Sequence, residues 1–259
     1  MLIGVLANAQ TEFKKSLSGV SVIKIETGTS ILMKEGVSNE IIIEEGCINC
    51  GIEDEPDTIM NVEQAEIDEK AKGLSPIYAS GKDNTGTGIH LEQDGEVLRL
   101  NDLKTFYNRN GLTITVPSSV SLQINCGNLG NANIEGLTSE LEINTNVGNI
   151  NLNNVTGPIT AHSSTGNIDI IFTSVNQNAP ISISSSTGMI DVSLPSNTKA
   201  SIELKSIMGA VYTNFDLVKP REDGLKAISD SKSISGDLNE GGVKIALKAS
   251  TGNIYLRKK

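Results

Sequence analysis

Asn146-Val147-Gly148-Asn149-Ile150-Asn151-Leu152 is a phrase that this chain keeps repeating. It returns as Ser164-Thr165-Gly166-Asn167-Ile168-Asp169-Ile170 and as Ser186-Thr187-Gly188-Met189-Ile190-Asp191-Val192, and near the C-terminus as Ser250-Thr251-Gly252-Asn253-Ile254-Tyr255-Leu256. In each copy a polar residue leads toward a glycine, where the chain must corner and where a missing Cβ permits positive φ. Alternation follows: Ile150 and Leu152, Ile168 and Ile170, Ile190 and Val192, Ile254 and Leu256. Period two means a strand with one dry and one wet face.

The corners fall at Gly127, Gly148, Gly166, Gly188, Gly209 and Gly252, in steps of 21, 18, 22, 21 and 43 residues. The last step is about two periods. Inside it, Ser235-Gly236-Asp237-Leu238 reads as a weaker copy and Asn214 to Ser233 as an insertion. One such unit buries too few aliphatic side chains to offset the entropy of ordering it, so units must stack and share a core. The expectation is an all-β chain: a parallel β-solenoid, β-helix-like, with rungs of about 21 residues and an N-terminal β-rich cap. Residues 1–9 read as the remnant of a secretory signal peptide, 10–110 as the capping region and 111–259 as the solenoid repeats.

Composition fits a narrow interior. There is no Trp, and aromatic residues make up 3% of the chain. Asn is dense from Asn125 to Asn154, which turn chemistry explains more simply than stacked side-chain ladders. A net charge of −10 argues against nucleic acid or an anionic membrane as partner. The basic tail Arg257-Lys258-Lys259 reads as a solvated terminus that discourages edge pairing.

Met1-Leu2-Ile3-Gly4-Val5-Leu6-Ala7-Asn8-Ala9-Gln10 resembles the back half of a secretory signal, with Ala7-x-Ala9 as cleavage site and the basic segment missing. No other apolar run approaches the roughly 20 residues of a membrane span. Cys47-Ile48-Asn49-Cys50 reads as a local disulfide, which export would favour, or as a pair of free thiols, ahead of a metal site or a redox motif. A zinc site would have to draw on Cys126, His90 and His162, a thin set, so no metal and no cofactor is expected.

Ahead of the repeats, Val20 to Glu26, Ser30 to Met33 and Glu40 to Glu44 read as strands. Glu53-Asp54-Glu55-Pro56-Asp57 lacks the spacing of a calcium loop and reads as a solvated loop. Ile77-Tyr78-Ala79, Gly88 to Leu91 and Glu96 to Leu100 resume the strands. The Gly-rich Asp83-Asn84-Thr85-Gly86-Thr87-Gly88 precedes a strand rather than a helix and has no P-loop lysine, so it reads as a tight turn or bulge.

Leu112-Thr113-Ile114-Thr115-Val116-Pro117, followed by Gly148-Asn149-Ile150, Gly157-Pro158-Ile159, Gly166-Asn167-Ile168 and Gly188-Met189-Ile190, resembles the "putative adhesin" family of bacterial β-strand-repeat proteins. That family carries a domain of unknown function, and the head domains of autotransporter adhesins look similar. The resemblance covers roughly the last 150 residues. It implies a β-helical fold and a cell-envelope location, and it transfers no catalytic residue.

The function this implies is an exported non-catalytic solenoid. It would serve as an adhesin, an envelope scaffold or a recognition module for a surface protein or glycan, placed in the periplasm, on the outer-membrane surface or outside the cell. Tyr78, Tyr107, Tyr212 and Tyr255 are scattered in sequence, which weakens the glycan version. One alternative is a polysaccharide-active enzyme. Asp169 and Asp191 hold equivalent places in successive copies and would stack, as a carboxylate pair requires. Asn151 and Tyr255 fill the same slot elsewhere, which marks it as a generic solvent-facing position. His162 beside Ser163 and Ser164 lacks an orienting acid for a triad. Another alternative is an envelope sensory or regulatory domain.

Overall fold

The alternating residues form strands in a computed structural model, which describes residues 12–47, 70, 72–74, 77–104, 111–217 and 233–259. The expected signal remnant, Cys50, the acidic run from Glu53 to Asp57 and Tyr107 lie outside the described residues. In chain order the strands are β1 (Glu12–Ser16), β2 (Val22–Glu26), β3 (Ile31–Glu35), β4 (Glu40–Glu45), β5 (Ile89–Asp94), β6 (Val97–Asp102), β7 (Leu112–Val116), β8 (Ser121–Asn125), β9 (Ala132–Glu135) and β10 (Leu141–Val147). They continue as β11 (Ile150–Val155), β12 (Ile159–Thr165), β13 (Ile168–Phe172), β14 (Ile181–Thr187), β15 (Ile190–Leu194), β16 (Ala200–Ser206), β17 (Val211–Thr213), β18 (Ser233–Leu238), β19 (Val243–Thr251) and β20 (Ile254–Lys258).

They build two sheets. Sheet A runs β1-β4-β7-β3-β9-β11-β13-β15-β20-β17, and sheet B runs β5-β6-β2-β8-β10-β12-β14-β19-β16-β18. Each turn of the chain lays one strand in sheet B, corners, and lays the next in sheet A. Pairing is parallel through the middle and antiparallel only near the ends, at β1–β4, β4–β7, β5–β6 and β16–β18. The fold is therefore solenoid-like.

Register makes the dry interior continuous. Ile150, Ile168, Ile190 and Ile254 pair in one column of sheet A, extended by Ala132 at one end and Val211 at the other. Leu122, Leu141, Ile159 and Ile181, with Ile245 and Ile202 beyond them, do the same in sheet B. Buried aliphatic side chains of both sheets belong to a single cluster.

The repeat glycines are needed for closeness more than for φ. A Cβ on Gly166 would run into the Gly148 carbonyl, one on Gly148 into that of Gly130, and one on Gly188 into that of Gly166. The column continues with Gly252 against Gly188 and Gly209 against Gly252. Gly130, not the expected Gly127, is thus the first member. Gly127 makes a separate turn at φ +60° beside Thr27.

Two side-chain ladders flank this column. Inside, Thr145 Oγ1 donates to Gly130 O at 2.9 Å, Ser163 Oγ to Gly148 O at 2.9 Å, Ser185 Oγ to Gly166 O at 3.1 Å and Ser206 Oγ to Gly252 O at 2.8 Å. Outside, the amide of Asn149 donates to Asn131 Oδ1 at 2.7 Å, that of Asn167 to Asn149 Oδ1 at 2.8 Å, and that of Met189 to Asn167 Oδ1 at 3.0 Å. Asn146 Nδ2 also donates to Asn128 Oδ1 at 3.1 Å and Asn151 Nδ2 to Asn133 Oδ1 at 2.8 Å. The asparagines therefore stack as ladders, against the turn-chemistry expectation, because parallel in-register pairing sets like residues side by side. Turn chemistry survives at Asn125, whose Oδ1 accepts the Gly127 amide at 3.0 Å.

Spatial order departs from sequence order at both ends. The β19–β20 layer sits between β14–β15 and β16–β17, so Gly209 lies outside Gly252 rather than before it. β17 has three residues, which suits an edge, whereas the nine residues of β19 find parallel partners on both sides. Ser235 to Leu238, expected as a weak repeat, belongs to β18 and pairs antiparallel with β16. At the other end β2 and β3 enter between β6–β7 and β8–β9. The region expected as a separate cap thus also supplies inner strands, because its alternating pattern matches the repeats. Ile77 to Ala79 forms only an isolated Tyr78–Gly81 bridge.

At the Gly188–Gly252 seam both ladders are interrupted. Ala249 stands in register between Ser185 and Ser206, and Met189 holds the place of the stacking asparagine. Ala249→Ser supplies a donor for the Gly188 carbonyl and is expected to add about 1 kcal/mol, seen as a rise in Tm of about 2–4 °C. Met189→Asn is expected to give a smaller gain. Gly166→Ala has the opposite sign and is expected to cost roughly 2–4 kcal/mol in denaturant unfolding.

Candidate functional site

Parallel register carries one outward-facing residue of each layer into a line across sheet A. The line reads Asn133, Asn151, Asp169, Asp191, Tyr255, Tyr212. Its first two members form an amide ladder, and the four after them change chemistry. The Asp169–Asp191 adjacency expected from the repeats is present.

Two residues further along β20, Arg257 reaches back to Asp191. Its Nε donates to Oδ1 at 2.8 Å and Oδ2 at 2.9 Å, and Nη2 donates to Oδ2 at 2.7 Å. This fork occupies both carboxylate oxygens. The basic tail is therefore not wholly a solvated terminus. Crowding by neighbouring atoms and the Asp191 charge raise the Asp169 carboxyl above its ordinary range, against the opposing pull of Arg257. The hydrogen bond and charge of Asp191 in turn raise Arg257.

Two of the four tyrosines thought to be scattered meet here. Tyr255 and Tyr212 stack with centroids 5.2 Å apart and planes 10° from parallel. Arg257 lies 5.4 Å from the Tyr255 centroid. Asn253 Nδ2 donates to the Tyr255 hydroxyl at 3.0 Å. A cleft of about 370 Å³ opens beside them, bordered by Asn214 and Lys258. The 43 residues between Tyr212 and Tyr255 equal the Gly209-to-Gly252 step, and that equality was the one sequence signal for the pairing.

The other candidates resolve as structure. Both ring nitrogens of His162 face serines, Nδ1 to Ser184 Oγ at 2.9 Å and Nε2 to Ser164 Oγ at 3.5 Å, so no carboxylate orients the imidazole. Ser163 points inward to Gly148 O. In the Gly-rich loop Asp83 accepts the amides of Thr85, Gly86 and Gly88, each at 2.9 Å. An internal carboxylate thus takes the donors a phosphate would need. Partial burial raises the Asp83 carboxyl, but the Thr85, Gly88 and Gly86 amides outweigh it and hold it below the usual range. Cys47 is disulfide-bonded. Cys126 is a free buried thiol, pushed up to about 12 by burial and by Glu26. Among the described residues no group of three or more His, Cys, Asp or Glu could hold a metal ion. Among them, too, no helix is long and apolar enough to cross a membrane.

A family model described as Toastrack DUF4097 matches residues 96–257. Two solved structures align with the chain. One is described as a "putative cell adhesion protein" from Clostridium sporogenes, 13% identical, with TM-score 0.44, covering 96% of this chain and 100% of that one. The other is described as a "putative adhesin" from Bacteroides fragilis, 15% identical, with TM-score 0.44, covering 96% and 98%. No curated protein matches the sequence.

The two perturbed aspartates give opposite pH signatures. A raised carboxyl penalises the native state while it is charged, so Asp169→Asn is expected to raise Tm by roughly 1–2 °C near neutrality, the scale of a solvent-screened repulsion. That gain disappears as pH falls through the raised pKa to the ordinary aspartate value. Asp83 stabilises when charged. Asp83→Ala is expected to lower Tm at neutral pH, with the loss fading only below the ordinary aspartate range. Thermal melts of both variants from pH 3 to 8 check the signs.

Proposed function

The chain belongs to the Toastrack DUF4097 family, and from that premise we propose that it is an exported, non-catalytic β-solenoid acting as an adhesin or as a scaffold and recognition module of the cell envelope. In this reading the rungs are of about 21 residues, with corners at the repeat glycines. Residues 1–9 are the remnant of an export signal. Within 10–110, the antiparallel edge strands β1, β4 and β5 serve as the N-terminal cap. Cys47 is disulfide-bonded, and in this reading its pairing with Cys50 belongs to an oxidising compartment.

The observation that carries the non-catalytic half is the Arg257 fork on Asp191. A glycosidase needs one carboxylate to donate a proton and a second, charged and open, to attack or to activate water. Here the second is already clamped. The outward asparagines of the same line bond one another along the ladder, and among the described residues nucleophile, base and oxyanion donors do not converge beside these carboxylates. What the stack offers instead is a long, regular polar surface with one aromatic and ionic patch at its C-terminal end. That supports recognition rather than turnover.

Two measurements test this. Purified protein is expected to release no product from acidic or neutral polysaccharides, by reducing-end assay. The full gene product, tagged at its C-terminus, is expected in the envelope or culture-supernatant fraction. Turnover that Asp169→Asn abolishes would overturn the non-catalytic reading, and confinement to the cytoplasm would overturn export.

A further inference from the structure

We propose that the cleft at the C-terminal end of sheet A binds an acidic saccharide, with Tyr212 as stacking surface and Lys258 as carboxylate partner. This deepens the recognition reading given above and rests on it.

The cleft exists because β17 is short. β17 pairs with β20 only from Val211–Ile254 to Thr213–Leu256, so β20 runs on past it toward Arg257 and Lys258. Asn214 Oδ1 takes the Lys258 amide at 2.6 Å and holds the chain at the mouth of the notch. Two rings of one kind then stand in line. Arg257 leans toward β15, away from β17, and covers one side of Tyr255, while Tyr212 covers the other. Among the described residues no strand of sheet A lies beyond β17, so the stack ends on Tyr212, which is 52% exposed.

The chemistry of the notch differs from the rest of the molecule. The chain carries a net charge of −10, yet Lys258 and Lys259 are exposed at this point. Among the described residues no carboxylate pairs with Lys258, whose ammonium lies 6.0 Å from the Phe215 ring. Arg257 is neutralised by Asp191, so among the residues lining the cleft Lys258 is the cation left for a ligand. Tyr212 and Lys258 both line the cleft, and an aromatic face with a cation in the same cleft matches a sugar ring that presents an apolar C–H face and a carboxylate at its edge. The cleft, at about 370 Å³, holds one or two such rings. A nucleic acid also offers rings and anions, but its phosphate chain would run against Asp169, Asp191 and the acidic body of the protein.

The test uses the full chain and four probes in calorimetry: trigalacturonate, its carboxyl-reduced neutral trisaccharide, a short poly-glutamate and a short single-stranded DNA. Trigalacturonate alone is expected to bind, and more weakly as salt rises. Tyr212→Ala is expected to weaken it by about tenfold or more, Tyr212→Phe by less than about threefold, and Lys258→Met to remove most of the salt dependence. Unchanged melting of the Tyr212→Phe protein controls for folding. Absence of trigalacturonate binding, equal binding of the neutral trisaccharide, preference for poly-glutamate or DNA, or indifference to Tyr212→Ala would each overturn the proposal while leaving the non-catalytic reading intact. Cleavage of trigalacturonate would instead overturn that reading.

Discussion

Everything in this fold depends on how closely successive layers approach at the corner. At Gly148, Gly166 and Gly188 the space a Cβ would need is filled by the carbonyl of the layer beneath. Backbone on backbone at that distance keeps parallel strands in register and lets Ile lie over Ile in the interior. It also sets the ladders. Once like positions coincide, a Ser or Thr hydroxyl reaches the carbonyl of the previous glycine, and an asparagine oxygen reaches the next layer's amide. These bonds answer polar groups at the corner that would otherwise go unpaired.

The same register governs the outer surface. Each outward position becomes a line of side chains about 4.8 Å apart, so the chemistry of a face is fixed by what occupies one slot of the repeat. In sheet A that slot holds Asn, Asn, Asp, Asp, Tyr, Tyr, which grades the surface from amide to carboxylate to aromatic. The carboxylate step would be repulsive, and the Arg257 fork relieves it at Asp191 while Asp169 keeps its raised carboxyl. A patch of distinct character thus arises from single-residue changes within a uniform frame.

Much of this was legible in the sequence. The repeat phrase, the glycine corners from Gly148 onward and the Asp169–Asp191 adjacency follow from period and spacing alone. What stayed hidden was long-range order. A short Ser-Gly-Asp-Leu phrase looks the same whether it forms a rung or an antiparallel edge, because local pattern does not name a partner. The Tyr212–Tyr255 stack required knowing that the last layer inserts beside β17, which no window of the sequence reveals. The asparagines were read by their commonest turn behaviour, and parallel register overrode it.

At two of the junctions where sequence and spatial order part the ladders change, whereas at the Gly252–Gly209 junction they continue through the Ser206 hydroxyl and the Ala210 amide. At the Gly188–Gly252 seam Ala249 and Met189 replace hydroxyl and asparagine. At the other, where β3 meets β9, Cys126 falls in line with Thr145 and its thiol lies 3.9 Å from Asn131 O. There Ser30 Oγ takes the Asn131 amide in place of an asparagine, and the Thr29 hydroxyl is buried without a partner. Between these seams, consecutive layers come from consecutive sequence, and every layer repeats the same polar contacts. Across them, layers join from distant parts of the chain, and closing such contacts costs entropy that a local repeat avoids. Register there is set by what still matches: Ile31 against Ala132, Ile254 against Ile190, and the close approach of Gly130 to the Thr29 carbonyl and of Gly252 to that of Gly188. The apolar columns and the close corner are therefore sufficient to place a layer, and the polar ladders refine a position already chosen.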